Sequence, residues 1–109
     1  IQDLSHAVVI FSNNQAVACG AFKPFDENAV EIKRMYSLPD FRGQGLAVKI
    51  LKELELWAKE LGYSSLVLET GKKQPEAIAL YTKYGFSQIE NYGQYVGIEN
   101  SLCFERQIK

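Results

Sequence analysis

Two short apolar runs near the start of the chain predict an antiparallel hairpin. Residues 6 to 11 (HAVVIF) and 16 to 23 (AVACGAFK) are rich in residues that favour strands. Asn13 and Asn14 lie between them, and asparagine tolerates the positive φ that a tight hairpin turn requires. We therefore expect the two runs to pair with each other.

A third apolar run, AVEIKRMYSL, loses its alternation of apolar and polar residues between Ile32 and Met35. Alternation is the pattern of a regular strand, and an extra residue in a strand interrupts it. The run therefore predicts a third strand with a bulge near Arg34. Pro39 ends this strand, because proline cannot donate to the hydrogen-bond ladder.

A long amphipathic pattern covers residues 45 to 61 and predicts a helix that ends at Gly62. Its apolar positions recur at steps of three and four residues and are Ala47, Ile50, Leu51, Leu54, Trp57, Ala58 and Leu61. The continuous apolar run at residues 65 to 70 (SLVLET) predicts a central strand. Because a helix joins this strand to the one before it, we expect the two strands to be parallel neighbours.

The rest of the chain adds a shorter helix and a last pair of strands. Residues 75 to 85 (PEAIALYTKYG) begin with a proline suited to a first helical turn and end with a glycine suited to a cap. FSQIE and SLCFERQI flank the aromatic loop NYGQYVGIEN and are expected to pair antiparallel. The predicted fold is α/β, with a mixed, mainly antiparallel sheet that contains one parallel pair and is flanked by two helices.

Composition limits the classes of protein to consider. The chain has 109 residues, 47% of them hydrophobic and 23% charged, which indicates one folded domain over residues 1–109. Its formal net charge of -1 provides no basic field, so neither nucleic acid nor a membrane surface is an expected partner. Cys19 and Cys103 lie in apolar runs, which favours a reduced, cytoplasmic protein. The chain begins with Ile1, and we expect it to be incomplete at its N-terminus.

The segment RGQGLA, at residues 42 to 47, stands between the third strand and the long helix. At a helix N-terminus the backbone N–H groups lack partners and the helix dipole is positive, so an anion is favoured there. Glycine lets a phosphate approach without a Cβ in the way. A P-loop is excluded because Leu46 and Ala47 replace its Lys and Ser or Thr, and Val48 replaces the third glycine of a dinucleotide fingerprint.

This segment resembles the pyrophosphate-binding signature of the GNAT family of N-acetyltransferases, [RQ]-x-x-G-x-[GA]. Arg42, Gly45 and Ala47 match it, and Gly43 is also common there. The flanking segments KRMYSLPDF and ALYTKYGF resemble the approach to this turn and the second helix of the family. The resemblance runs from about residue 7 to the end and lacks the family's N-terminal strand and two helices. Either this segment is missing from the given chain, or the protein is a shortened variant of the family.

The resemblance implies acetyl-CoA as co-substrate. No His, Cys and carboxylate cluster of the sequence has the spacing of metal ligands, so no metal is expected. It implies that backbone N–H groups of the turn bind the pyrophosphate, at Arg42, Gly43, Gln44, Gly45, Leu46 and Ala47. It also implies that the parallel strands splay apart, so that the N–H of Met35 can donate to the acetyl carbonyl. Tyr36 and Ser37 would line the pantetheine arm.

Two side chains are implied as proton-transfer groups. Glu31 stands where some family members keep a general base, and Tyr81 is the tyrosine of the L-Y-x-x-x-G-F segment, where it would protonate the departing thiolate. Neutralising an alkylammonium at pH 7 costs on the order of 4.6 kcal/mol, so a base is useful. The alternatives are a solvated strand glutamate and a packed helix tyrosine. Tyr92 and Tyr95 either line the acceptor site or pack their own loop.

The function implied is direct transfer of an acetyl group to a primary amine, with a small-molecule amine as the first interpretation. A peptide or protein amine is the second. A protein that binds acyl-CoA without catalysis is an alternative of another class. The sequence leaves a homodimer open.

Overall fold

A six-stranded mixed sheet carries two helices, and the computed structural model describes residues 6–109. The strands are β1 (His6–Ser12), β2 (Gln15–Pro24), β3 (Ala29–Ser37), β4 (Ser65–Gly71), β5 (Ser87–Ile89) and β6 (Ser101–Gln107), and the helices are α1 (Leu46–Glu60) and α2 (Pro75–Tyr84). The sheet order is β1-β2-β3-β4-β6-β5, and only β3 and β4 are parallel. The predicted fold class is confirmed. The expectation of an incomplete start rests on Ile1, which lies outside the described residues.

The first hairpin forms as predicted. β1 and β2 pair antiparallel, with Val8 opposite Gly20. Asn13 and Asn14 have φ of 52° and 66°, the positive values that a two-residue hairpin turn needs at both central positions. Asn13 and Asn14 therefore adopt the backbone conformation that the sequence predicted for this turn.

Helix α1 covers the sheet with the apolar face that its pattern predicts. Ile50, Leu51, Leu54 and Ala58 are at most 1% exposed and pack in one core with side chains of β2, β3 and β4. The pattern extends to Leu61, but the helix ends at Glu60 and Leu61 is exposed. Burying this face supplies most of the helix's stability, because isolated helices of this length are marginal.

The parallel pair opens into a V after three residue pairs. Ala29, Val30 and Glu31 lie opposite Ser65, Leu66 and Val67, and no later residue of β3 pairs with β4. Beyond this point β3 continues alongside β2 only, and β4 alongside β6 only. The bulge predicted near Arg34 is present, because the β2–β3 register shifts there and Arg34 has φ of 61°. The end of β3 is thus free of β4, and a gap lies between them.

A polar cluster ties both helices to β6. Tyr84 Oη and Arg106 Nε each donate to Oε1 of Glu55 at 3.0 Å, and Lys59 Nζ lies 3.4 Å from its Oε2. Burial disfavours the charged form of Glu55, but the hydrogen bonds and positive charge of these partners outweigh it and lower its pKa. Burial and the bond to Glu55 raise the pKa of Tyr84 to about 12. The cluster fixes α2 beside α1.

The two cysteines have different surroundings. Cys103 is fully buried, whereas Cys19 is half-buried and its thiol donates to the carbonyl of Arg34 at 3.4 Å. Neither helix of the described residues 6–109 is long and apolar enough to cross a bilayer.

Candidate active site

The turn before α1 presents a row of backbone amides without protein acceptors. Lys49 is the first residue whose N–H enters the helical ladder, donating to the Gly45 carbonyl at 3.2 Å, and no acceptor within residues 6–109 pairs with the amides of residues 43–48. Gly43 and Gly45 have φ of 79° and 78°. The N–H of Arg42 donates to the Pro39 carbonyl at 3.3 Å, so the row begins at Gly43 and not at Arg42. This arrangement is suited to an anion.

A cavity of about 470 Å³ opens on this turn, and we call it the cofactor cavity. Every residue predicted to bind the cofactor lines it except Gln44; those lining it are Met35, Tyr36, Ser37, Arg42, Gly43, Gly45, Leu46 and Ala47. The start of α2 forms the other wall. These predicted residues therefore lie together along one cavity, and their role in binding the cofactor stays a prediction.

The Arg42 side chain is held at the end of β3. Its Nε donates to the Ser37 carbonyl at 3.1 Å, and its guanidinium lies 5.6 Å from the centre of the Tyr36 ring. A guanidinium has five N–H donors, so donors remain for a ligand in the cofactor cavity.

A second cavity, of about 330 Å³, occupies the gap between β3 and β4, and we call it the gap cavity. It is lined by Ile32, Lys33, Arg34, Met35, Leu68, Glu69, Thr70, Gln74, Ala77 and Tyr81. Met35 and Tyr81 line both cavities, as do Gln74 and Ala77. The two cavities therefore meet where β3 leaves β4, with the end of β3 on one side and α2 on the other.

Tyr81 lies at this junction with most of its side chain buried. It is 7% exposed, and its ring packs edge-on against Phe86 with centroids 5.7 Å apart. Burial raises the pKa of Tyr81, so its hydroxyl stays protonated at neutral pH. Within residues 6–109 no hydrogen bond engages this hydroxyl, so its proton is not donated to a protein acceptor.

Glu31 lies at the last pair of the parallel strands and lines neither cavity. It is 5% exposed, and its Oε2 accepts from Tyr92 Oη at 2.9 Å and lies 3.5 Å from Lys33 Nζ. Burial, and then the bond to Glu31, raise the pKa of Tyr92. The role of Glu31 as base stays a prediction, and its carboxylate is engaged by protein groups.

Tyr92 and Tyr95 connect the late loop to β3. Tyr95 Oη accepts from Lys33 Nζ at 3.0 Å, and the two tyrosine rings pack edge-on with centroids 5.7 Å apart. Burial opposes the charge of Lys33, but the bond to Tyr95 and the charge of Glu31 outweigh it and raise the pKa of Lys33. Neither tyrosine lines the gap cavity. Tyr95 contacts Lys33, which does line it, whereas Tyr92 contacts Glu31, which does not.

Glu69 and Gln74 line these cavities but were not among the residues predicted for the site. Glu69 lines the gap cavity, and its Oε2 accepts from Ser101 Oγ at 2.8 Å. Gln74 precedes the first residue of α2 and lines both cavities. The available signal for Glu69 was an acidic residue at the end of an apolar strand, where a strand followed by a helix commonly presents site residues. Within residues 6–109 no three His, Cys, Asp or Glu side chains are grouped to hold a metal ion.

These features define a class of protein: a mixed sheet whose parallel strands separate beside a helix start with unpaired backbone amides. The model of the acetyltransferase (GNAT) family matches residues 1–86. The chain therefore belongs to the GNAT acetyltransferase family.

Three comparisons show the extent of the similarity. An IAA acetyltransferase of Azospirillum brasilense is 38% identical, over 84% of this chain and 61% of its own length. A crystal structure from Klebsiella pneumoniae, provisionally assigned as an acyl-CoA N-acyltransferase, is 38% identical with a TM-score of 0.89, over 94% of this chain and 72% of that one. A GNAT acetyltransferase of Elizabethkingia anophelis with acetyl-CoA bound shares the fold, with 24% identity and a TM-score of 0.80 over 93% and 74% of the two chains. The chain spans between 34% and 66% of the length of six curated relatives that it matches.

Proposed function

We propose that the protein is an acetyl-CoA-dependent N-acetyltransferase that acetylates a primary amine of a small molecule. The observation that carries this proposal is the meeting of two cavities at the separation of β3 and β4, with Met35 and Tyr81 on both. One cavity has the amides suited to a diphosphate, and the other has polar side chains suited to a small acceptor. Family membership supports the same activity.

The backbone amides of the turn before α1 support the binding of acetyl-CoA in the cofactor cavity. The amides of residues 43–48 have no protein acceptor in the described chain, and a diphosphate supplies oxygens for several of them. A Cβ built on Gly43 or Gly45 meets no protein atom within 4 Å, so the space beside these glycines is open to a ligand. Arg42 adds a charge-assisted contact.

Met35 is suited to polarise the acetyl carbonyl. It has no register partner in β2 or in β4, because it follows the bulge and lies beyond the last parallel pair. Its backbone N–H then donates to the carbonyl oxygen as negative charge develops there. Donors of this kind, fixed before reaction, contribute more than those that must reorganise.

At neutral pH the acceptor is an alkylammonium, so its nitrogen loses two protons and the sulfur gains one. A carboxylate takes the first proton and passes it to solvent, and the free amine bonds to the acetyl carbon while the carbon–sulfur bond breaks. The nitrogen then gives its second proton to the same carboxylate, and Tyr81 supplies a proton to the departing sulfur and is reprotonated from solvent, so one proton is released overall. Glu31 fills the role of base through water in this proposal. Glu69 is the alternative, because its side chain belongs to a residue that lines the gap cavity.

The first test measures thiol release from acetyl-CoA with a panel of small amines. We expect Tyr81→Phe to lower kcat by about 100-fold or more, since general acid–base groups contribute roughly 10² to 10⁴, with little change in CoA affinity. Tyr63→Phe is the matched control, because Tyr63 packs against the core and lines neither cavity. Equal rates for the two variants would remove the assigned role of Tyr81.

The second test compares Glu31→Gln with Glu69→Gln. The variant that lacks the base loses rate most strongly at low pH, where the amine is fully protonated, while the other retains the wild-type pH profile. Tight CoA binding with no thiol release from any amine would instead support a protein that binds acyl-CoA without catalysis.

The free thiols of Cys19 and Cys103 support a reducing compartment, and we assign the protein to the cytoplasm. Fractionation of cells that express the full-length protein tests this assignment. Recovery from an oxidising compartment would contradict it.

A further inference from the structure

The geometry points to an acceptor that carries a carboxylate as well as its amine, with Arg34 binding the carboxylate. This inference rests on the proposed function and names the substrate class for the gap cavity. The argument uses the charged residues that line the gap cavity, and asks which of them already have a hydrogen-bond or ion-pair partner in the protein.

The bulge brings two consecutive cations to one cavity. In a regular strand neighbouring residues point to opposite faces, so Lys33 and Arg34 would not share a site. Here the register shifts and Arg34 has φ of 61°, and both residues line the gap cavity. A side-chain-bearing residue in this backbone region costs about 1 kcal/mol or more, and such positions concentrate at functional sites. The thiol of Cys19 donates to the Arg34 carbonyl and helps to hold this backbone.

Only one of these two cations is satisfied by the protein. Lys33 donates to Tyr95 and is paired with Glu31. The Arg34 side chain is exposed, and within residues 6–109 no ion pair, hydrogen bond or ring contact engages its guanidinium. Arg34 lines the gap cavity and does not line the cofactor cavity.

The opposite wall carries the complementary charge. Glu69 on β4 lines the same cavity, and Ser101 holds one of its oxygens. An acceptor that bears an ammonium and a carboxylate matches an acid on one wall and a guanidinium on the other. The planar guanidinium can bind a carboxylate through two parallel hydrogen bonds, which a lysine cannot do. A monofunctional amine would leave the Arg34 guanidinium hydrated, with no part in binding the acceptor.

The test pairs free L-amino acids and ω-amino acids with their carboxamides, as acceptors for the full-length protein. We expect wild type to favour each acid, and Arg34→Gln to lose about 10- to 100-fold in kcat/KM for the acids only. Comparing the acid-to-amide ratio between the two proteins cancels the intrinsic reactivity of each amine. Arg34→Lys should retain part of the preference.

Lys52→Gln is the matched control, because it removes one positive charge from the exposed face of α1, away from both cavities. The inference is overturned if Arg34→Gln leaves the acid-to-amide ratio unchanged, or lowers kcat/KM equally for acids and amides. The proposed function still stands in that case if acetylation of neutral amines is observed. If no amine releases thiol, the proposed function fails. The inference about Arg34 is then tested by calorimetry, in which the CoA-loaded protein is titrated with the N-acetylated acids and amides. Binding of the acids that Arg34→Gln abolishes supports the inference, and equal binding of acids and amides overturns it.

Discussion

Replacing Gly45 with alanine isolates the contribution of the backbone turn to cofactor binding. Gly45 has φ of 78° and lines the cofactor cavity, and an added Cβ meets no protein atom within 4 Å. Gly97 has φ of 80° and equally open surroundings but lies in the late loop and lines neither cavity. Gly97→Ala therefore imposes the same backbone cost on the fold without touching the site.

The expected magnitudes follow from these two environments. Both substitutions put an alanine in the left-handed region, which costs roughly 1 to 2 kcal/mol of the free energy of unfolding. Only the Cβ at position 45 stands where a phosphate must approach the amides. Displacing the phosphate from one amide loses a hydrogen bond to a charged group, worth about 1.5 to 3 kcal/mol, so CoA affinity should fall by about 10- to 100-fold.

Urea unfolding and calorimetric titration with CoA measure the two quantities separately. We expect similar midpoints of unfolding for the two variants, and weakened CoA binding for Gly45→Ala alone. If Gly45→Ala binds CoA as tightly as Gly97→Ala, the amides of residues 43–48 do not form the diphosphate site, and the reasoning fails at its first step.

Two further predictions concern stability. Glu55→Gln should cost about 1 to 3 kcal/mol in urea unfolding at pH 7 because it weakens the contacts with Arg106 and Lys59. Since the pKa of Glu55 is lowered in the fold from 4.5, this difference should shrink as the pH falls below that value, and a difference that persists to strong acid would contradict it. Gly20→Ala should cost about 1 to 3 kcal/mol by overpacking, because its Cβ would lie 2.5 Å from Met35 Sδ and 2.6 Å from Ile50 Cγ2. Gly71→Ala in β4 has only ordinary contacts, the closest at 3.8 Å, and unchanged stability of Gly20→Ala relative to it would refute the packing argument.

Much of the fold is predictable because its signals are local. Asn13 and Asn14 encode their turn through backbone conformation, and the lost alternation around Arg34 marks the bulge on a single strand. The parallel pairing follows from one connection through a helix. The polar cluster around Glu55 has no such signal, since its partners Tyr84 and Arg106 lie 29 and 51 residues away along the chain.

The candidate site divides in the same way. The cofactor turn is one continuous segment, so its composition identifies it. The contacts of Glu31 do not come from one segment, because Tyr92 stands 61 residues away along the chain. The sequence shows that Glu31 stands on a strand, but its surroundings depend on residues far away along the chain.

The depth of each carboxylate in the V follows from its distance to the last parallel pair. Glu31 pairs with Val67, so it lies where the strands are still joined and is covered there. Glu69 stands two residues after Val67, and since side chains alternate along a strand it lies on the same face as Glu31, beyond the separation. The position of an acid along β3 fixes its spacing from Met35 but not where β3 and β4 stop pairing. Comparing Glu31→Gln with Glu69→Gln therefore tests whether the base stands at the last parallel pair or beyond it, as well as which carboxylate it is.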